Sequence, residues 1–309
     1  MMSLSAILLK LTLKIFHRHN AAPVCKKLPS DAVFQTIGLQ AMHISQAPYR
    51  ELFDAIASYQ GTNLYADLLH PWCANAIAVK AWLNHFAANS RSSIPNASIE
   101  GLWQLYALSR VNDLLLSRLR DENAENASTK VEISNSNYHE FMRSLGLEVA
   151  ISREFSPFYH EIVEVMQDKQ QHAEITVVAI LWDALMLGNM MFSRVGTCLA
   201  GGIANINKSI AETSTLYWTY QRPNRRCQDS SYGWGSNSQW RTSFRRDYKI
   251  DGNIYYNVDG KNNLNLGQSQ DEELELLEQI ELVKHRCFIT VAKPDDDLFP
   301  YSDRYYQTV

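Results

Sequence analysis

Residues Ile175 to Met191 read ITVVAILWDALMLGNMM. Whether this run is a helix or a set of strands decides what the rest of the chain packs around. Periodicity cannot choose, because apolar residues occupy nearly every position and no face stands out at either repeat. A span of 17 residues with Asp183 near its middle is too short and too polar at its centre for a membrane crossing. The run is therefore read as a helix buried in the core, followed by a turn marked by Gly196, Gly201 and Gly202.

The flanks on both sides are clearer. Leu147–Phe155 and Tyr159–Met166 are rich in Val, Ile and aromatic residues and predict extended chain, with Pro157 keeping them apart. Phe244–Lys249 and Ile254–Val258 flank Asp251–Gly252, a dipeptide that tolerates positive φ and so predicts a hairpin. Asp271–Lys284 predicts a helix, acidic toward its start and with Lys284 near its end, as the helix dipole favours. Arg286–Ala292 reads as a closing strand, and Tyr138–Leu145 as a short helix ended by Gly146.

The first half predicts helices. Ser30 or Asp31 can cap one beginning near Ala32, and Pro48 suits the first turn of Tyr49–Tyr59. Trp72–Ala88 places Trp72, Ala76, Val79, Leu83 and Phe86 on one face. Ser98 opens the clearest helix, which carries Leu102, Leu105, Leu108, Val111 and Leu115. Arg120–Asn137 is polar, Asn-rich and a natural linker. The fold class that follows is α+β: a helical N-terminal half, and a mixed C-terminal region containing an antiparallel sheet. Residues 1–130 form the helical region and residues 138–309 the α+β region, and the two can share one core.

Composition bounds the function. The chain has 309 residues, 46% hydrophobic, with net charge −4, enough to bury a core without disulfide or metal staples. A negative total argues against a surface that coats nucleic acid throughout, although a local basic patch would escape that argument. Cys25, Cys73, Cys198, Cys227 and Cys287 are scattered and odd in number, which predicts reduced thiols in a cytoplasmic protein and no zinc site. Cys227, beside Arg225 and Arg226, has thiolate-favouring neighbours, but is read first as a spectator in a polar loop. The N-terminal segment is too short and too interrupted by Lys10 and Lys14 for a transmembrane helix. Leu4, Ile7, Leu8, Leu11 and Ile15 give residues 1–16 an apolar helical face that packs on the domain or touches a membrane surface weakly.

The chain holds no nucleophile elbow, phosphate loop, dinucleotide fingerprint or H-E-x-x-H motif. Two groups remain. His160, Glu161 and Glu164 are candidate catalytic residues, since His160 and Glu164 fall on one face at either repeat and can pass protons. As metal ligands they would need help from His70, His139, Glu140, His172 or Glu174, and no metal is expected. The plainer role for His160 is a hydrogen-bonded histidine at a sheet edge.

The second group is Leu216–Gly260. Up to Lys249 it carries six arginines and one lysine against Asp229 and Asp247, a local excess of five positive charges. Arg222, Arg225, Arg226, Arg241, Arg245 and Arg246 offer planar forks for phosphate or carboxylate. Trp234 and Trp240 offer stacking faces, and Asn237 an uncharged donor. The competing role is architecture, with the arginines paired to acidic residues elsewhere. The expected function is an enzyme or binding protein for an anionic small molecule, phosphorylated or carboxylated, using this loop. A non-catalytic module for nucleic acid or protein, or a purely structural protein, are the alternatives. No motif specifies a cofactor or an oligomeric state. The spatial question that separates these readings is whether His160 lies beside the arginines.

Overall fold

Ile175–Met191 is not a helix. In the computed structural model, which describes residues 47–119, 133–214, 216, 240–269, 274–291 and 302–309, it is one arm of a long bent β-ribbon. The chain runs up β3 (Thr176–Trp182) and β4 (Ala184–Leu187), turns at Gly188–Asn189, and returns along β5 (Met190–Ser193) and β6 (Val195–Gly201). β4 pairs with β5 and β3 with β6, both antiparallel, so the four segments are two halves of one hairpin. The bend falls at Asp183 on one arm and Arg194 on the other. There the ribbon passes from a seven-stranded sheet, order β1-β4-β5-β7-β8-β10-β9, into a three-stranded sheet, order β2-β6-β3. Continuous apolar sequence suits β4 and β5 because both faces are covered. Leu185, Leu187, Met190 and Phe192 enter the largest core cluster, and Ala184 and Met191 enter a second one. β3 breaks the expectation of burial as well, since most of its residues are exposed.

The remaining strands are β1 (Glu148–Ala150), β2 (His160–Gln167), β7 (Asp247–Ile250), β8 (Asn253–Tyr256), β9 (Asn262–Asn263) and β10 (Asp303–Thr308). β2 runs parallel to β6, and β10 parallel to β9; the other pairings are antiparallel. The expected hairpin at Asp251–Gly252 joins β7 to β8, with φ of 49° and 75° at its two turn residues. The expected strand at Arg286–Ala292 does not form among its described residues. The closing strand is β10, which pairs with the outer side of β8.

The α-helices among the described residues are α1 (Ala47–Ser58), α2 (His70–Asn75), α3 (Ile77–Asn89), α4 (Ile99–Leu116), α5 (Asn135–Ser144), the single-turn α6 (Lys208–Ala211) and α7 (Leu276–His285). Trp72–Ala88, read as one helix, is broken at Ala76, whose ψ of 41° leaves the helical region. A π-helical turn, Tyr65–Leu69, precedes it. Ser98 caps α4 as expected, its hydroxyl accepting from the Gly101 N–H. From Gly101 onward α4 is buried on all sides except at Trp103, so it is a central helix and not a surface one. The largest cluster draws on α1 to α5 and on β4, β5 and β7. The architecture is thus α+β, with helices mainly in the first half and two mixed, mostly antiparallel sheets in the second. No helix among the described residues is long and apolar enough to cross a membrane.

The segment 1–16, the helix expected near Ala32, most of the polar linker and Cys25 lie outside the described residues. So do Cys227, Arg222, Arg225, Arg226, Trp234 and Asn237.

Candidate functional site

Asp247 opens β7 with its side chain wholly buried, and three arginines from separate parts of the chain converge on it. Its Oδ1 accepts from Arg245 Nε at 2.8 Å and from the Asn257 backbone N–H at 2.7 Å. Its Oδ2 accepts from Arg194 Nη2 at 3.2 Å and Arg286 Nη2 at 3.0 Å. Relative exposure is 0% for Asp247, 1% for Arg194 and Arg245, and 5% for Arg286. Arginines are almost never this buried unless paired, and here three share one carboxylate.

Each element places its arginine for a local reason. Arg194 stands at the bend of the ribbon, fixed by its carbonyl, which accepts from Trp182 Nε1 at 2.9 Å. Arg245 leads into β7, and its Nη2 also donates to the Val283 carbonyl of α7. Arg286 caps α7 in the left-handed region, φ 65°, and Asn257 follows β8 at φ 50°. Left-handed backbone costs a non-glycine residue of order 1 kcal/mol. Two of the three such residues described here hold Asp247.

The charges are strongly coupled. Burial raises the cost of ionising Asp247, yet the guanidiniums of Arg245, Arg286 and Arg194 and the Asn257 N–H more than offset it. Its carboxyl is held well below the usual carboxylate range. Burial, and then the neighbouring Arg286, lower Arg194 to about 10, against the pull of Asp247, Tyr256 and Glu161. Burial lowers Arg245 to about 9, with Asp247 opposing and the other two arginines assisting. Arg194 and Arg245 stay charged near neutrality. Arg194 Nε and Nη1, Arg286 Nε and the Tyr256 hydroxyl are buried without a hydrogen-bond partner.

The sequence candidates divide. Arg245 is in the cluster. Arg246 is a clamp: it forks onto Asp259 at 2.8 and 2.6 Å and donates to the Pro95 carbonyl at 2.7 Å. Arg241 is exposed and lies 5.7 Å over the Trp103 ring. Trp240 is buried at 5.4 Å from Phe53, with Arg110 4.4 Å above its ring. The structure therefore brings one of these four to Asp247 and leaves Trp240, Arg241 and Arg246 elsewhere.

His160 pairs with Val195 across β2 and β6 and lies near Arg194, which depresses its pKa after burial as the main cause; Arg194 is not one of the arginines of the 216–260 stretch. The His160 Nε2 lies 3.2 Å from the Ser152 carbonyl, and its Nδ1 lies 3.0 Å from both the Ser156 carbonyl and the Ser156 N–H, so both ring nitrogens have backbone partners. The ring fastens the Ser152–Ser156 loop and packs on Phe155. Glu161 is buried and faces Arg194 electrostatically. Glu164 is exposed and leaves the group. The register shifts between Ile162 and Glu164, so Val163 is an extra residue and the expected shared face of His160 and Glu164 is lost. Glu164 instead sits by the Cys198 thiol, whose pKa is raised by burial and then by that carboxylate. No three His, Cys, Asp or Glu side chains among the described residues are placed to hold a metal.

Arg194, Arg286, Tyr256 and Asn257 escaped sequence reasoning. Arg194 and Arg286 sit far in sequence from the arginine-rich stretch, and only the pairing of β7 with β5 and the docking of α7 bring them to it. The fold and site thus define an α+β protein with a buried arginine cluster on one aspartate. No protein-family model matches the chain, and neither a curated protein nor a solved structure matches it significantly.

Proposed function

We propose that this protein binds a small anionic molecule at Arg194 and Arg286, beside Asp247. One observation carries the proposal: two guanidiniums and a phenol hold buried donors without partners around a carboxylate already saturated by four hydrogen bonds. Burying a charge without full compensation costs several kcal/mol, and a ligand anion supplies that compensation. The residues support a binding role over proton-transfer chemistry, because both nitrogens of His160 are committed to backbone partners. Nucleic acid is a weaker reading, since the described cluster is buried and cannot track an extended backbone.

Thermal denaturation of the full chain in a panel of sodium salts and short oligonucleotides tests this, with chloride as reference at constant ionic strength. A specific anion at a hundred times its Kd should stabilise by ~2.7 kcal/mol, a rise of roughly 5 °C at this size. Arg194→Met should abolish the shift. If no anion shifts the wild type, and Arg194→Met is as stable or more so, the cluster is architecture: buried ion pairs are often replaceable by apolar side chains without loss.

Cys73, Cys198 and Cys287 are buried free thiols, and we infer a reduced, cytoplasmic setting. Mass spectrometry after alkylation of the denatured, unreduced chain should find all cysteines blocked. Two native disulfides would count against the inference.

A further inference from the structure

The two sheets have four edges, and three of them are short or guarded. β1 and β9, at the ends of the larger sheet, are three and two residues long. β2 is one edge of the smaller sheet, and α6 and the residue after it cover that strand. Glu212 Oε1 accepts from the Val165 N–H at 2.8 Å, and Gln167 Oε1 accepts from the Lys208 N–H at 3.0 Å. β3 is the other edge. It is seven residues long, pairs only with β6, and among the described residues nothing bonds to its outer backbone groups.

Native edges are usually guarded by shortness, charge, proline, bulges or cover. Ile175–Trp182 (ITVVAILW) carries neither charge nor proline. Thr176 and Val178–Leu181 are exposed, with Val178 at 51%, Ile180 at 42% and Leu181 at 44%. Val178 and Leu181 are extra residues against β6, so the strand bends and consecutive side chains stand outward. That bend guards the edge only in part, because the outward side chains are themselves apolar. Such an edge is a template for another strand.

We propose that two copies of this chain associate through β3, joining their three-stranded sheets into one of six strands. Charge and symmetry identify the occupant. An uncharged strand is met without repulsion by another uncharged strand, and β3 of a second copy is one. An antiparallel pair of identical strands related by a two-fold axis has one residue opposite itself. Centred on Ala179, the pairing sets Val178 against Ile180 and Val177 against Leu181. The small side chain then lies on the axis, with branched apolar pairs on either side, as sheets favour. Glu174 and Asp183, the nearest charges, fall outside the paired run. A strand of this length spans only ~23 Å, short for a standard interface, so the association depends on concentration.

Sedimentation equilibrium of the full chain over a concentration series tests this. Wild type should pass from one chain mass to two as concentration rises. Val178→Lys/Ile180→Lys sets like charges opposite each other and should weaken association ten-fold or more. Val178→Lys/Ile180→Glu sets opposite charges there and should restore it. Both positions are exposed in the single chain, so urea midpoints should stay near that of wild type. Hydrogen exchange reads the same surface without mutation: backbone amides of residues 176–182 should exchange several-fold more slowly at high concentration. A wild type that stays monomeric, grows into open-ended aggregates, or dimerises without slowing exchange in β3 overturns the proposal. Equal association by the two double variants also overturns it. The wild-type mass and exchange decide the matter alone if the variants do not fold.

Discussion

Asp247 is the residue on which three of the five buried arginines among the described residues converge. Replacing it with Asn keeps the shape and removes the charge, stranding three guanidiniums. We expect Asp247→Asn to cost about 3–5 kcal/mol in urea unfolding. The other ion pair of the same stretch sets the contrast. Arg246 faces Asp259, whose side chain is 36% exposed, and keeps its bond to the Pro95 carbonyl when that carboxylate is lost. Asp259→Asn should cost about 1 kcal/mol or less. Equal losses in the two variants would contradict the picture of a single buried hub.

Acid sensitivity belongs at the same scale. His285, stacked on Phe155, has its pKa lowered to about 3 by burial and then by Lys284 and Arg194. The unfolded chain therefore takes up this proton first as pH falls from about 6.5, and stability is lost in that direction. Between pH 6.5 and 5 the loss is about 1–2 kcal/mol, toward the lower end because the ring is partly exposed. His160 and His139 are shifted the same way and add to it. Asp247 does not contribute over this window, since its folded pKa lies far below it. Chemical denaturation at the two pH values should show His285→Phe losing measurably less stability than wild type. Sequence reading found His160 but not His285, because nothing local marks a histidine as buried. It found Arg245 and Asp247, which are two residues apart, but not Arg194 from the ribbon's bend or Arg286 from the cap of α7.

Among the elements, the ribbon decides the architecture, and its tip shows how the two halves are joined. Gly188 turns at φ +61°, against the end of α3. Ser90 Oγ donates to the carbonyls of Ala87 and Leu187, both at 2.9 Å, and Asn189 Nδ2 donates to the Arg91 carbonyl at 2.6 Å. A methyl group at Gly188 would strike Ser90 Oγ and the Ala87 carbonyl. Gly252 turns the other hairpin at φ +75° with nothing within 4 Å. Gly188→Ala should therefore cost about 3 kcal/mol or more, and Gly252→Ala about 1 kcal/mol. Urea midpoints of the two variants check the difference, which is one of packing because the backbone conformations are alike. The hairpin at Asp251–Gly252 was legible because polar turn residues separate two short strands. Gly188–Asn189 is also a turn dipeptide, but it sits inside an apolar run whose length resembles a helix. What periodicity could not show is that both faces of β4 and β5 would be covered, one by helices and one by the second cluster. The β-branched residues Thr176, Val177, Val178 and Ile180 were the remaining signal for strand.

At the scale of the whole molecule, the helical first half and the sheeted second half meet through one core. Trp82, Phe86, Leu105, Val111 and Tyr138 share a cluster with Leu185, Met190, Phe192 and Tyr248. Polar bonds cross the same boundary. The Phe244 N–H donates to the Leu102 carbonyl at 3.1 Å. Asn112 accepts from the Tyr138 hydroxyl at 2.7 Å and donates to Ser193 Oγ at 3.1 Å, tying α4 to α5 and to β5 in the interior. Separate domains exchange few such contacts. Here neither half could keep its apolar surface covered after the other unfolded, so we expect one cooperative transition although the chain exceeds the usual two-state size. Two probes report on different regions: far-UV circular dichroism weights the helices, and fluorescence weights tryptophans such as Trp182 at the ribbon's bend. Their urea curves should coincide. Asn112→Ala should move both together, by about 1–3 kcal/mol for the two buried hydroxyls left behind. Two separated transitions, or a shift of one probe alone, would mean that the halves are independent units despite their shared core.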